Sequence, residues 1–493
     1  MSSPPHLVVG AGFAGLAAAL RLRARGEEVV LLERLDQLGG RARVHRRNGF
    51  VFDAGPTVIT APFLFEELFA LFDRRLDDAV EMLPVDPWYR MVFDDGSVFD
   101  YGGTLDDTLR EIERFEPRDR DGYLRLLAHS ERLFAKGFEE LGDQPFDRVS
   151  TMLKAAPDLA RLRADRSVWG LVRRCLRNPQ LRQAFSLQPL LVGGNPLDTT
   201  SIYSLIHALE RRWGVTFPRG GTGALVAALG ELAQDVGVEV RLGESVSRFE
   251  VRDGRVRAAV LKNGERLTAQ RVVFAGDPSH LYRHLIAAED RRHWTDARLA
   301  RHRHSMGLFV WYFATDRRYP DVAHHTILFG PRYEELLEDI FDRGHLADDP
   351  SLYLHRPTAT DPAMAPDGHD AFYVLAPVPH LGHGGEWREQ APRYRQLVLE
   401  RLESTVLPGL ESALVEDFVA TPETFRDDFL SHLGAGFSLQ PTLRQSAYFR
   451  FHNRSEDIEN LYLVGAGTHP GAGLPGVLTS AKVLERLLDE EAA

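Results

Sequence analysis

The sequence predicts an α/β protein with a dinucleotide-binding unit near its N-terminus. Three observations carry that expectation: a strand, glycine turn, helix and strand over residues 7–33, a second glycine turn with helix, strand and hairpins over 216–277, and a strand, glycine run and helix over 460–488. The 493 residues are 44% hydrophobic and 26% charged, which excludes global disorder and allows a large core. At roughly 150 residues per domain, the length suggests about three domains. A net charge of −12 argues against a nucleic-acid partner. The one cysteine, Cys175, excludes an internal disulfide and a Cys-only metal site, and fits a reducing compartment. There is no apolar run of about 18 residues, so no membrane-spanning helix is expected.

Leu7 to Leu20 reads LVVGAGFAGLAAAL, which imitates the apolar core of a secretory signal. The preceding MSSPPH supplies no basic start, so a division into two elements is the better reading. Leu7–Val9 is a short buried strand, and Gly10, Gly12 and Gly15 form GxGxxG. Residues Ala14 to Ala24 continue as a helix ended by Gly26, and EVVLLE (28–33) is the second strand. Gly10 permits the tight turn, Gly12 lets the backbone approach a pyrophosphate, and Gly15 lets helix and strand pack closely. Phe13 and Ala14 then open a helix whose free N–H groups face the phosphates. Glu33 lies 18 residues beyond Gly15, where a carboxylate accepts ribose hydroxyls. Gly39, Gly40 and Arg41 follow, bringing bare backbone and a guanidinium toward the pyrophosphate.

Further along, GFVFDAGPTVI (49–59) reads as a strand broken at Gly55-Pro56, followed by Thr57. Asp53 is either a charge near the cofactor or an acceptor tying down that turn, and the turn is favoured. Residues 85–102 form a hairpin around Asp95-Gly96. Residues 106–190 are largely helical, with boundary signals at Pro117, Pro145, Pro157 and Pro179. In 216–277, a helix starts near Thr222, strands lie near 238–242 and 271–275, and Asp253-Gly254 and Asn263-Gly264 turn two hairpins. The span 300–440 mixes strands (LFVWYFA, AFYVLAPV) with helices and reads as an α+β substrate-binding domain. The C-terminal segment runs from a strand into Gly465, Ala466 and Gly467, then Gly473, Pro475, Gly476 and Val477 at a helix start. That gives a second helix N-terminus facing something electron-rich. The histidines lack a metalloprotease or facial-triad spacing. His302/His304 and His324/His325 are read as loop or core residues, so no metal site is expected.

The GxGxxG, Glu33 and Gly-Gly-Arg pattern resembles the amine-oxidase-like flavoproteins, and the resemblance selects FAD over NAD. The segment NLYLVGAGTHPGAGLPGVLTS (460–480) resembles the signature of bacterial-type phytoene desaturases. FDAGPTVIT (52–60), PLLVGGNP (189–196), SIYSLIHALERRWGVTFPRGGTGALV (201–226), AHHTILFGPRYEELLEDIF (323–341) and YVLAPVPHLG (373–382) are similar to that family as well. The resemblance implies non-covalent FAD held by the glycine segments above together with Val246. It implies a long polyisoprenoid substrate, repeated dehydrogenation of phytoene toward lycopene, and peripheral attachment to the inner face of the cell membrane. It also implies a Rossmann-type, discontinuous FAD-binding domain (1–80, 216–290, 445–493), an α+β substrate domain (81–105, 291–444) and a helical, membrane-associating subdomain (106–215).

Seven arginines lie between Arg161 and Arg182, opposed only by Asp165 and interleaved with Leu162, Val168, Trp169, Leu171, Val172, Leu176 and Leu181. This is either a basic amphipathic helix for the membrane surface, which is favoured, or an ordinary surface helix. Each desaturation removes a hydride and a proton. No convincing base stands out; Lys154 and Arg166 are weak catalytic candidates, with surface roles favoured. Oxygen or a membrane quinone is the expected electron acceptor. Open alternatives are a desaturase or isomerase for a related carotenoid, a flavin amine oxidase, and a non-catalytic prenyl-binding escort protein.

Overall fold

The computed structural model describes residues 4–492. A five-stranded parallel sheet has the order Leu461–Leu463, Val272–Phe274, His6–Val9, Val29–Leu32, Glu239–Arg241. All neighbouring pairs are parallel. Three widely separated stretches of chain thus meet in one sheet. Strand Val29–Leu32 is wholly buried, as a parallel strand covered on both faces must be. Helices Phe13–Ala24, Thr222–Asp235 and Leu474–Ala492 cover one face, and their Ala and Leu side chains share one core with Val8 and Leu31. The hairpins Val246–Arg252/Arg255–Leu261 and Arg255–Leu261/Arg266–Thr268 cover the other face.

A second sheet of seven strands runs Leu414–Ala420, Gly307–Thr315, Asp370–Val378, Leu352–His355, His325–Leu328, Tyr89–Val92, Val98–Tyr101. Only the pairing of His325–Leu328 with Tyr89–Val92 is parallel. All nine residues of Gly307–Thr315 are buried. Successive side chains of a strand point to opposite faces. Phe309, Trp311 and Phe313 therefore pack under helix Trp387–Glu403, while Leu308, Val310 and Tyr312 face inward. That inner face bounds the large cavity described below.

Helices dominate residues 105–213. Pro157, expected at a boundary, lies inside helix Val149–Arg161. The arginine-rich span is not one amphipathic helix. Helix Val149–Arg161 ends at a turn in which Arg163 has φ 57°, and two short helices follow, Val168–Cys175 and Pro179–Ala184. Buried Asp119 holds the second break by accepting the Arg177 and Asn178 N–H groups at 2.8 Å. The apolar residues meant for a membrane turn into the core instead: Val168, Trp169, Leu171, Val172, Leu176 and Leu181 are all buried. The exposed apolar side chains of this region lie elsewhere, at Val149 and Leu153. Among the described residues, no helix is long and apolar enough to cross a membrane.

Burial, which penalises charge, holds many histidines low: His325 at about 3, and His280, His432 and His469 at about 4. Each binds fewer protons folded than unfolded between that value and the ordinary 6.5. Their stabilising contribution is therefore complete above about pH 6.5 and is lost as pH falls toward 4. The melting temperature should be flat near neutrality and drop steeply across that window. A profile unchanged down to about pH 4.5 would contradict this assignment.

Candidate active site

One continuous cavity of about 470 Å³ runs between the parallel sheet and the inner face of the antiparallel sheet. Its two ends differ in chemistry. At one end, backbone and charge predominate. Gly10, Gly12, Phe13, Ala14, Glu33, Gly39, Gly40, Arg41, Gly55, Pro56, Thr57, Val246, Gly465, Ala466, Gly467, Gly473, Pro475 and Val477 all line it. Two candidates stand behind the wall. A Cβ on Gly15 would lie 1.8 Å from the Gly10 carbonyl oxygen, and one on Gly476 would lie 2.4 Å from that of Gly471. Both glycines act by permitting close backbone approach.

The polar groups at this end suit a dinucleotide. Helix Phe13–Ala24 begins at Gly12 with no side-chain cap, so its first N–H groups remain available to phosphate oxygens. Gly39 has φ +106° and bridges to Gly12, which brings two bare backbones side by side. Buried Glu33 accepts the Ala11 N–H at 2.7 Å on one oxygen and the Leu35 N–H at 2.9 Å on the other. A carboxylate has further lone pairs, so the same group can still accept ribose hydroxyls. The Arg41 guanidinium donates to Ser431 at 2.6 Å, but its Nε has no partner. Burial lowers the Arg41 pKa while Asp277 acts to raise it. Asp277, also buried, likewise keeps one unpartnered oxygen. The orphaned Arg41 N–H fits a bound anionic group such as a pyrophosphate, whereas the Asp277 oxygen can pair only with a donor.

Several residues here escaped the sequence reading. Asp277 lines the cavity and caps a short helix by accepting from Ser279 and His280. The Asp-Pro pair after strand Val272–Phe274 was a readable cap signal. Arg450 is 1% exposed, and its guanidinium donates to the carbonyls of Ala466, Thr468, Gln445 and Leu439. It ties the 465–468 loop to the segments carrying Gln445 and Leu439. No local motif marks a residue that acts 16 positions downstream.

Asp53 does not line the cavity. It lies at the start of helix Thr222–Asp235, accepts the Gly223 N–H at 3.3 Å, and has its pKa pushed up to about 6 by burial. It is thus a structural acceptor, as favoured, although the element it ties down is this helix. Lys154 and Arg166 are not among the cavity-lining residues. Lys154 is exposed on helix Val149–Arg161, and Arg166 sits in the turn after it. Neither is placed to touch a bound substrate.

The other end is apolar. Leu308, Val310, Ile327, Phe329, Leu336 and Leu375 line it, with tyrosines as the main polar groups. Tyr353 and Tyr373 are joined to the glycine-rich end through Thr57, whose hydroxyl lies 3.1 and 2.7 Å from theirs. Such a space binds by burial of hydrocarbon, at roughly 25 cal/mol per Å² of apolar area.

The profile of the flavin-containing amine oxidoreductases matches residues 13–483. A phytoene desaturase (lycopene-forming) of Pantoea ananas is 49% identical over 488 residues, covering 99% of both chains. A phytoene desaturase (neurosporene-forming) of Rhodobacter capsulatus is 44% identical, covering 98% of this chain and 94% of its own. The chain belongs to the bacterial-type phytoene desaturases, within the flavin-containing amine oxidoreductases. Cyclohexylamine oxidase from Brevibacterium oxydans shares the fold, with a TM-score of 0.63 over the full length of both chains at 16% identity. As a member of this family the chain is an FAD-dependent oxidoreductase acting on CH–CH bonds.

Two substitutions test the cofactor end. Gly15→Ala forces its Cβ into the Gly10 carbonyl and should yield protein purified without its yellow colour. Glu33→Ala removes charge-assisted hydrogen bonds worth about 1.5–3 kcal/mol each, so the FAD dissociation constant should rise at least about tenfold. Retention of wild-type affinity by both, measured by fluorescence titration, would place the cofactor elsewhere.

Proposed function

We propose that the protein converts phytoene to lycopene by repeated 1,2-dehydrogenation. The observation that carries this reading is the apolar half of the cavity, continuous with the glycine-rich half. Phytoene has no polar handle, so only apolar contacts along its length can hold it. The assignment to lycopene rather than neurosporene leans on the higher identity to the lycopene-forming relative. Bound FAD would supply the hydride acceptor. The chain's part is to hold one CH2–CH2 unit beside the cofactor, exclude water, and fix the cofactor through Glu33, Arg41 and the three glycine turns. Oxygen or a quinone then takes the electrons. On this reading the cofactor domain comprises 1–80, 216–290 and 445–493, and the substrate domain 81–105 and 291–444.

Substrate confined to a bilayer requires the protein to sit on one. The surface best suited is helix Val149–Arg161, where Val149 and Leu153 are 52% and 67% exposed, one helical turn apart. Segment Ala447–Phe449 packs against this helix and adds Phe449, 49% exposed. Exposed Arg148, Lys154 and Arg161 lie on or beside this helix, and Arg173, Arg174 and Arg177 are exposed in the segment that follows. Apolar insertion beside basic charge suits an anionic lipid surface.

Purified holoprotein mixed with phytoene-loaded liposomes should generate products absorbing in the visible, with lycopene as the end product. A colourless mixture would reject the activity. Co-sedimentation with anionic liposomes should fall sharply when Val149 and Leu153 are both replaced by Asp. Neutralising Arg173, Arg174 and Arg177 should remove mainly the salt-sensitive part. Wild-type pelleting by both variants would rule out this face.

A further inference from the structure

Behind the tyrosines of the cavity wall lies a group of three histidines that the reaction does not use. His325 opens strand His325–Leu328 and stands opposite His355 of strand Leu352–His355 in antiparallel register. His324 precedes it in the chain. All three are buried, and one ring nitrogen from each lies within 4.8 Å of the others. Phe217, Tyr89 and Tyr373 enclose the rings.

The hydrogen bonding of these rings follows a pattern. His325 Nδ1 is 2.7 Å from the Tyr353 hydroxyl, and His324 Nδ1 is 2.6 Å from the Thr360 hydroxyl. The opposite nitrogens, Nε2 of both, have no partner, and neither nitrogen of His355 has one. Four buried ring nitrogens without partners are costly, and such atoms call for a bound group. A histidine ligand usually spends its second nitrogen on a fixed partner outside the metal, which sets the tautomer and aims the first. Two of these three rings have such a second partner, a hydroxyl able to accept the Nδ1–H and leave Nε2 free to ligate.

We propose that His324, His325 and His355 bind one transition-metal dication of the zinc class. Neutral imidazoles suit zinc, copper, iron or nickel, whereas calcium and magnesium require oxygen ligands that this site lacks. Zinc–nitrogen bonds near 2.1 Å would place tetrahedral ligand atoms about 3.4 Å apart, so the rings must draw together by roughly an ångström. The ion would clamp the two strands at their shared end. Through the His325–Tyr353 hydrogen bond it would also fix the orientation of a cavity-lining tyrosine. This site is independent of the identity of the substrate.

The test uses full-length holoprotein carrying no histidine tag. Elemental analysis should find close to one equivalent of zinc or another late first-row metal, reduced to traces in His355→Gln. The partly exposed His432→Gln, in a separate histidine group, should keep it. Dialysis against a chelator should lower the melting temperature of wild-type protein, and added zinc should restore it. Cobalt in place of zinc should give visible ligand-field bands. If wild-type protein holds only traces of every such metal and its melting temperature ignores added zinc and cobalt, the cluster holds water and the proposal fails. Equal metal loss in His432→Gln and His355→Gln would also overturn it.

Discussion

The contact between Gly15 and the carbonyl of Gly10 sets the depth of the cofactor end of the cavity. Any side chain at Gly15 would push helix Phe13–Ala24 away from the strand that feeds it. The uncapped N–H groups at the helix start would move with it. Gly476 and the Gly471 carbonyl repeat the arrangement at the far end of the chain. One helix is thus drawn against the end of the sheet's central strand and the other against the loop that follows its edge strand, and both begin beside the same cavity. The separated stretches of chain must converge for this to happen, because strand Leu461–Leu463 completes the sheet beside Val272–Phe274.

The antiparallel sheet answers a different demand. Its inner strand next to one edge, Gly307–Thr315, is buried on both faces. Its outward aromatics fill a conventional core under helix Trp387–Glu403. Its inward residues are left to bound open space, and their apolar character makes that space fit for a hydrocarbon. A polar ligand could be gripped by a few directed bonds. A hydrocarbon must be enclosed along its length, which explains why one wall is a broad sheet rather than a set of loops.

Much of the glycine-rich end of the cavity was legible in the sequence because its structure is local. Glycine spacing, strand and helix boundaries, and the distance to Glu33 are all set within a few turns of chain. The hairpins at Asp253-Gly254 and Asn263-Gly264 were readable for the same reason. The arginine-rich span misled, since charge counting does not register a chain break. Arg163 in left-handed backbone and the Asp119 clasp divide it, and burial then claims its apolar residues. Arg450, Asp277 and the histidine group depend on contacts between distant segments, so no short motif announces them. His324 and His325 were visible as a pair. Their partner His355 joins them only through strand register.

The hydroxyl of Thr57 touches both Tyr353 and Tyr373. One end of this short chain belongs to the turn after Gly55-Pro56, the other to the central strands of the antiparallel sheet. The two halves of the cavity therefore share a common post. A change that widens the hydrocarbon end by shifting either tyrosine also displaces the turn beside the cofactor. One hydroxyl thus couples the width of the apolar end to the shape of the turn at the glycine-rich end.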